Sequence, residues 1–217
     1  MSEDPSTGGG VHPTADELPA LAGASNVLVM GPTGSEADRS LCRSILTRHS
    51  IESTDVLVVS LTRSASDRIQ TLEGDDGDLP ANVTVVSPRD RVDATTTTER
   101  SDVDGLSTTI TVETVTDPSD LPRLGMAISG ALGEWDEGGG TEVCFDSLTA
   151  LLQYADRRRV FQFVQVLQNR TEEIGGATHY HMDPEAHDDR TIATMRPLFD
   201  AIVELSTDGE PTVRHQR

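Results

Sequence analysis

The feature that most constrains the fold of this chain is a set of short, unbroken apolar runs that alternate with stretches of helical periodicity. The runs NVLVM, DVLVVSL and NVTVVS lie in the first half of the sequence, and EVCF, THYHM and AIVEL lie in the second half. Continuous runs of this kind are typical of strands buried on both faces, as in a parallel sheet. Their alternation with helices predicts an α/β fold, with a mostly parallel sheet and helices on both faces.

Each apolar run predicts a strand. The predicted strands cover residues 26–30, 55–61, 82–87, 142–145, 178–182 and 201–205. Residues 109–115 alternate weakly, which is consistent with an extended segment or an edge strand. Helical spacing predicts helices after the first and second strands, and then over 118–135, 148–168 and 190–195. Asp117 is predicted to cap the third of these helices, with Pro118 in its first position.

The length of 217 residues suits one domain. Residues 1–24 are rich in Gly, Pro, Ser and acidic residues, which predicts a disordered acidic tail. Residues 25–206 form the predicted α/β domain, and residues 207–217 are predicted to be a C-terminal tail. Within the domain, residues 88–109 show no periodicity and are predicted to form a long loop.

The charge balance excludes one large class of partners. The chain has 37 acidic residues against 17 basic ones, all of them arginine, and a formal net charge of -20. Since a nucleic-acid groove needs clustered positive charge, nucleic-acid binding is not expected. An acidic surface without lysine suits a protein kept soluble in concentrated salt, where like charges are screened. A halophilic source is therefore predicted, with random acidic drift as the alternative.

Neither a membrane span nor a signal peptide is expected. No apolar run approaches the ~20 residues that a span requires, and the N-terminal sequence lacks the basic and apolar regions of a signal peptide. A cytoplasmic protein is predicted. Cys42 and Cys144 are expected to be buried, reduced thiols, because two cysteines alone do not make a zinc site.

The segment GPTGSEAD, after the first predicted strand, resembles a phosphate-binding loop with an altered second half. Such loops read GxxxxGK[ST], and their backbone N–H groups converge on an anion in front of a helix. The first five positions of the pattern are filled by Gly31, Pro32, Thr33, Gly34 and Ser35. The positions of the second glycine, the lysine and the hydroxyl residue are taken by Glu36, Ala37 and Asp38.

These three replacements disfavour nucleotide binding. A carboxylate about 4 Å from a phosphate oxygen costs on the order of 4 kcal/mol at an effective dielectric of about 20. Loss of the lysine removes a charge-assisted hydrogen bond of roughly 1.5–3 kcal/mol. Ordinary P-loop catalysis is therefore not expected, although the carboxylate of Asp38 offers a ligand for a cation.

The run TEVCFDS places Asp146 at the end of a buried strand. Nucleotide-binding folds use an acidic residue at the end of a neighbouring strand to hold magnesium, which predicts Asp146 as a metal ligand. The alternative is a cap, because apolar strands often end in an aspartate that caps the next helix.

Three segments together resemble the KaiC-like branch of the RecA-type P-loop ATPases: GPTGS, DSLTALLQY and MDPEAHDDRTIATMRPLFDAIVEL. They are most similar to degenerate members of that branch from salt-loving archaea, over about residues 24–206. The resemblance implies a RecA-type fold, with residues 31–38 as the Walker A loop and Asp146 as the Walker B acid. The family's catalytic glutamate normally follows the second strand, where this chain reads Ser60-Leu61-Thr62-Arg63 without an acid.

Two other polar groupings allow a functional interpretation. His179, His181 and Asp183 alternate, so on a strand their side chains would share one face, with His187 nearby, and such ligands suit zinc or nickel. A polar strand surface explains the same pattern without a metal. Arg157–Arg159 could serve as the arginine finger that a neighbouring subunit supplies in oligomeric ATPases, although a solvated basic turn is the simpler interpretation.

These patterns predict a non-catalytic RecA-type regulatory or scaffold protein that acts through contacts with an unknown protein partner. One alternative is a weak ATP-binding switch, in which the loop and Asp146 hold ATP and Mg²⁺. Another is an active ATPase completed by a neighbouring subunit of a homo-oligomer. The expected cofactors are accordingly none, or weakly bound ATP with Mg²⁺.

Overall fold

The computed structural model describes residues 20–73, 77–87, 96–101, 107–135 and 140–216, which contain one nine-stranded sheet and six α-helices. In chain order, the strands are β1 (Asn26–Met30), β2 (Thr54–Ser60), β3 (Asn82–Ser87), β4 (Thr96–Ser101), β5 (Ser107–Thr114), β6 (Gly140–Asp146), β7 (Ala177–Met182), β8 (Ala201–Leu205) and β9 (Pro211–His215). The helices are α1 (Glu36–Leu46), α2 (Ala65–Glu73), α3 (Leu121–Gly133), α4 (Leu148–Tyr154), α5 (Arg157–Glu173) and α6 (Asp189–Met195). None of these helices is long and apolar enough to span a membrane.

The sheet is parallel except at its two edges. Its strand order is β4-β5-β3-β2-β6-β7-β1-β8-β9, and the seven strands from β5 to β8 in that order run parallel. The outer strand β4 pairs antiparallel with β5, and β9 pairs antiparallel with β8. The prediction of an α/β fold with a mostly parallel sheet is confirmed.

Side chains of the central strands alternate between apolar cores on opposite faces of the sheet. On one face, side chains such as Leu57 and Phe145 pack beneath α3, α4 and α5. On the other face, Val56 and Cys144 pack beneath α1 and α2. Because the central strands are buried on both faces, their sequences read as continuous apolar runs.

The single helix predicted over 148–168 is two helices in the structure, α4 and α5. The carboxylate of Asp156 accepts hydrogen bonds from the N–H groups of Arg158 at 3.0 Å and Arg159 at 3.1 Å, so it caps a new helix. Apolar side chains on both sides of the break pack into the same core. The hydrophobic periodicity therefore does not reveal the interruption.

The helix predicted to begin at Pro118 starts later. The cap of α3 is Asp120, whose carboxylate accepts a hydrogen bond from the N–H of Arg123 at 3.1 Å. The predicted cap, Asp117, accepts instead from the N–H of Ser119 at 2.9 Å, in the preceding turn. Each aspartate is followed within two residues by a proline, so the sequence offers two equivalent helix starts.

Two segments predicted to lack regular structure contain the edge strands. The loop predicted over 88–109 includes β4 and the first residues of β5, and the tail predicted over 207–217 includes β9. The sequence of β4, TTTERS, is polar, but threonine favours strands through its branched side chain. Most of the tail predicted over 1–24 lies outside the described residues, whereas Leu21 and Ala24 are buried in the core beside α1.

Candidate functional site

The loop predicted to bind phosphate lies between β1 and α1. Its backbone turns at Gly34, whose φ of 80° lies in the left-handed region that glycine adopts without strain. Ser35 caps α1, because its hydroxyl oxygen accepts a hydrogen bond from the N–H of Asp38 at 3.1 Å. Within this segment Pro32, Thr33 and Glu36 are exposed, Gly34, Ser35 and Ala37 are half-buried, and Gly31 and Asp38 are buried.

Three backbone N–H groups of this loop donate within the chain. The N–H of Gly34 donates to Oδ2 of Asp38 at 2.8 Å. The N–H of Ser35 donates to the carbonyl of Pro32 at 3.3 Å, and the N–H of Gly31 donates to the carbonyl of Met182 at 3.1 Å. The loop lies between a strand and the helix that follows it, and these donors are directed to partners in the chain itself.

The carboxylate of Asp38 is held by a second partner, His181. Asp38 is only 4% exposed, and its Oδ1 lies 2.7 Å from Nδ1 of His181. Burial by itself would raise the pKa of Asp38, but the charge of His181 and the hydrogen bonds from His181 and Gly34 lower it. Burial likewise opposes a charged His181, but the charge of Asp38 and its hydrogen bond raise the pKa of His181 to about 10. In this pair, a carboxylate and an imidazolium neutralise each other.

Arg63, which follows β2, covers the loop. A Cβ atom on Gly34 would lie 2.6 Å from Nη2 of Arg63, so the guanidinium packs directly against the glycine. The backbone of Arg63 is fixed by Ser60, whose hydroxyl donates to the carbonyl of Arg63 at 3.0 Å and accepts from its N–H at 3.3 Å. A cation therefore occupies the position after the second strand, where the KaiC-like resemblance implied a catalytic glutamate.

Asp146 ends β6, but its strand is not next to the strand that leads into the loop. The prediction of a neighbouring strand is wrong, because β7 lies between β6 and β1. Oδ2 of the buried Asp146 accepts a hydrogen bond from Nη1 of Arg68 at 3.2 Å, and Arg68 is itself 2% exposed. The capping alternative is also wrong, since Ser147 caps α4 by accepting from the N–H of Ala150 at 3.2 Å.

A cluster of two cysteines and two histidines lies beside this ion pair. Cys42 on α1, Cys144 on β6, and His179 and His181 on β7 are all buried, and each offers one ligand atom within 4.8 Å of the others. The two sulfur atoms are 3.4 Å apart, and Nε2 of His179 lies 3.3 Å from Sγ of Cys42. Nη2 of Arg68 lies 3.2 Å from Sγ of Cys42 and 3.0 Å from Sγ of Cys144.

The histidine grouping predicted from sequence is only half correct. His179 and His181 do point to the same face of β7, but Asp183 and His187 belong to a different set of contacts, around Thr149. The N–H of Asp183 donates to the Thr149 hydroxyl at 2.9 Å, and Nε2 of His187 lies 3.0 Å from that hydroxyl. The alternation does not continue to Asp183, because β7 stops at Met182 and the chain then turns.

The arginines predicted as a basic turn, Arg157–Arg159, form the first turn of α5. Nη1 of Arg157 lies 3.3 Å from the hydroxyl oxygen of Thr191 on α6, so this side chain ties two helices of the same chain together. The arginine-finger interpretation stays a prediction.

Glu142 lies on the same face of β6 as Cys144 and Asp146, toward the other end of the strand. Its carboxylate is 2% exposed and pairs with Nε of Arg48 at 2.7 Å. Burial raises the pKa of Glu142 to about 7, although the charge and hydrogen bond of Arg48 act in the opposite direction.

We expect Glu142→Gln to become more stable relative to the native chain as the pH rises. The pKa in the folded state, about 7, lies above the ordinary value of 4.5, so the folded chain binds more protons between these values and loses stability as the pH rises through them. Glu142→Gln has no carboxylate to titrate, so its unfolding free energy does not fall in this way. Relative to the native chain, the unfolding free energy of the variant should therefore rise by about 3 kcal/mol between about pH 4 and about pH 8. Urea unfolding over that range measures it. Glu173→Gln, at an exposed position, controls for the loss of one negative charge. If the unfolding free energies of the native chain and Glu142→Gln changed with pH in the same way, the expectation would be contradicted.

The chain is similar in fold to a protein of known structure. This is the uncharacterized protein PH0321 from Pyrococcus horikoshii, crystallised in complex with an unknown peptide; the TM-score is 0.55 and the sequence identity 13%. The similarity covers 93% of this chain and 98% of that chain. At this identity the likeness shows a shared fold alone. No curated protein matches the sequence. A family described as a family of unknown function (DUF7504) matches residues 24–205, and the chain therefore belongs to that family.

Proposed function

We propose that this chain is a non-catalytic RecA-type protein that acts as a regulator or scaffold by binding a partner protein. The observation that carries the proposal is that the chain's own side chains occupy both halves of the degenerate nucleotide site. Asp38 accepts the N–H of Gly34 in the loop, and Arg68 pairs with Asp146, the residue predicted to hold magnesium. The RecA-type assignment is supported by the loop between β1 and α1 and by the acidic end of the parallel strand β6.

Nucleotide binding would have to displace these internal partners. A phosphate that takes the N–H of Gly34 removes that hydrogen bond from Oδ2 of Asp38 and places a second negative charge beside the carboxylate. A carboxylate about 4 Å from a phosphate oxygen costs on the order of 4 kcal/mol at an effective dielectric of about 20, which corresponds to roughly several hundredfold weaker binding at about 1.4 kcal/mol for each factor of ten. The internal contacts therefore favour a protein that works without nucleotide.

An apolar groove between α3 and α5 provides a surface for the partner. Met126 and Val166 both line it, and they are 67% and 68% exposed, more than any other large apolar side chain among the described residues. The groove has a volume of about 490 Å³, and the ring of Phe163 also lines it. Single exposed apolar side chains are common, but a group that shares one groove is typical of a docking surface.

The charge of this groove specifies the kind of partner. Among the described residues, its lining contains Arg159 and Arg170 and no acidic residue, although Arg170 pairs with Glu173 at 3.2 Å, in a chain whose net charge is -20. We therefore assign the groove to an apolar segment of another protein, with acidic residues flanking its apolar ones. Protein PH0321, which shares the fold, was crystallised with an unknown peptide, and this supports a peptide-binding role.

The nucleotide half of the proposal predicts that ATP is neither bound nor hydrolysed. Calorimetry with millimolar ATP and Mg²⁺ in molar KCl should give no binding heat, and the melting temperature should not change. If the purified chain hydrolysed ATP, and an Asp146→Asn variant did not, the non-catalytic assignment would be wrong.

The assignment of the groove to a partner's apolar segment predicts a defined peptide preference. Selection of displayed peptides on the full chain, in molar KCl, should yield apolar segments with acidic flanks. Met126→Glu/Val166→Glu should weaken their binding at least tenfold, about 1.4 kcal/mol, because both substitutions place charge in an acid-free groove. Tyr154→Glu changes an exposed residue outside the groove and should leave binding unchanged. If the selected peptides bound the native chain and both variants with equal affinity, the groove would not be the peptide-binding surface.

A weak ATP-binding switch is the second candidate, and one contact favours it. The guanidinium of Arg63 lies against Gly34 and supplies positive charge at the loop where the lysine is missing. An ATP-dependent rise in melting temperature that disappears in Arg63→Gln would select this candidate over the first.

A further inference from the structure

We infer that Cys42, Cys144, His179 and His181 form a structural zinc site inside the fold. This inference is independent of the proposed partner binding, because the four residues lie on the face of the sheet that packs beneath α1 and α2. Two thiolates and two imidazoles are a ligand set that zinc binds in structural sites.

The geometry of the four side chains is already close to that of such a site. With Zn–S distances of about 2.3 Å and Zn–N distances of about 2.0 Å, the ligand atoms of a tetrahedral zinc lie roughly 3.3–3.8 Å apart. The two sulfur atoms are 3.4 Å apart, Sγ of Cys42 is 3.3 Å from Nε2 of His179, and all four ligand atoms lie within 4.8 Å of one another. Side-chain shifts of about 1 Å therefore complete the tetrahedron.

His181 is oriented as a metal-binding histidine. Its Nδ1 is held by the carboxylate of Asp38 at 2.7 Å, and its Nε2 is buried without a hydrogen-bond partner among the described residues. A histidine that binds zinc through one ring nitrogen commonly donates the other N–H to a carboxylate, which fixes the tautomer and the ring orientation. Asp38 thus has a role that the phosphate-loop pattern does not suggest: it positions His181.

The charges around the cluster also suit a bound dication. Zinc binding converts both thiols to thiolates and leaves His181 neutral at Nε2, and the released protons pass to the solvent. The thiolates, Asp38 and Asp146 then carry four negative charges, opposed by three positive charges from the ion and Arg68. Nη2 of Arg68 lies within 3.2 Å of both sulfur atoms, where it donates hydrogen bonds to thiolates.

A site of this kind stabilises the fold rather than catalysing a reaction. All four ligands come from the chain and are at most 2% exposed, so no coordination position opens to solvent. The ligands come from α1, β6 and β7, and an ion would join the helix to two strands of the sheet. Closed, four-ligand zinc sites typically contribute their binding energy to folding.

Titration with Co²⁺ tests the site directly in the full chain. The protein is stripped with a chelator, kept reduced, and titrated in KCl buffer. We expect one equivalent of Co²⁺ to give the visible d–d bands of a tetrahedral ion and a near-ultraviolet thiolate-to-cobalt band. One equivalent of Zn²⁺ should abolish both and raise the melting temperature.

Three variants connect that signal to these residues. Cys144→Ser should abolish the part of the thiolate-to-cobalt band that comes from its own sulfur, and it should weaken Co²⁺ binding by more than a hundredfold. Asp38→Asn should weaken Co²⁺ binding roughly 10–100-fold, as expected for a residue that positions a ligand. His187→Gln, a histidine outside the cluster, should bind Co²⁺ like the native chain.

Native chain that is folded by circular dichroism, has two free thiols and gives no tetrahedral Co²⁺ spectrum would overturn the inference. A spectrum that survives unchanged in Cys144→Ser would overturn it as well. The same applies if the two cysteines form a disulfide that persists under reducing conditions, because the sulfur atoms could then not bind zinc as thiolates.

Discussion

Arg68→Met is expected to lower the free energy of unfolding by about 3–5 kcal/mol, the usual cost of removing one partner from a buried ion pair. Arg68 is 2% exposed and donates to the carboxylate of Asp146 and to the sulfur atoms of Cys42 and Cys144. Methionine keeps much of the side-chain volume but leaves the Asp146 carboxylate without its cation. Urea unfolding in molar KCl, analysed by linear extrapolation, gives the difference.

A double variant separates the charge effect from packing. Replacing a whole buried pair by apolar residues is often neutral, so Arg68→Met/Asp146→Leu should recover most of the stability lost in Arg68→Met. Arg43→Met removes an arginine that bonds backbone carbonyls outside this cluster, and it should cost less. If the loss of unfolding free energy in the double variant equalled the sum of the losses in Arg68→Met and Asp146→Leu, Arg68 would not act through Asp146.

Phe145→Ala is expected to cost about 3–5 kcal/mol, the typical effect of emptying a buried aromatic position. The ring of Phe145 is fully buried and packs against Phe163 of α5, with centroids 6.0 Å apart, and against Tyr180 of β7, with centroids 5.8 Å apart. Its removal leaves a cavity directly beneath α5. Because Phe163 also lines the apolar groove, peptide binding should weaken along with stability.

Two substitutions calibrate this loss. Phe145→Leu keeps an apolar side chain in the core and should cost clearly less than alanine. Val166→Ala shortens an apolar side chain that is 68% exposed, and surface substitutions of this kind usually change stability by less than about 0.5 kcal/mol. A Phe145→Ala variant that unfolds at the same urea concentration as the native chain would mean that α5 collapses onto β6 and refills the cavity.

The central sheet was predictable because burial on both faces leaves a strong sequence signal. All six predicted strands exist, and the apolar runs set their limits within about two residues. The edge strands β4 and β9 were missed because they are polar and pair on only one side, so hydrophobicity does not mark them. The break before α5 was missed for the opposite reason, since apolar side chains continue into the same core on both sides of Asp156.

The site was harder to predict because its members come from distant parts of the chain. The position of the loop 31–35 and the cap at Ser35 follow from local sequence, but the partners of Asp38 do not. Cys144 lies opposite His179 only because β6 and β7 are adjacent in this register, which periodicity does not determine. Arg68 had no distinguishing pattern, since a single arginine on a short helix is usually exposed.

Cys144 and Phe145 are consecutive residues of β6, and they belong to different cores. Cys144 belongs to the cysteine–histidine cluster, whereas Phe145 contacts Phe163, which lines the apolar groove. A single peptide unit therefore connects the two ligand sites that we infer. If zinc binding changes the affinity for the peptide by some factor, peptide binding must change the affinity for zinc by the same factor.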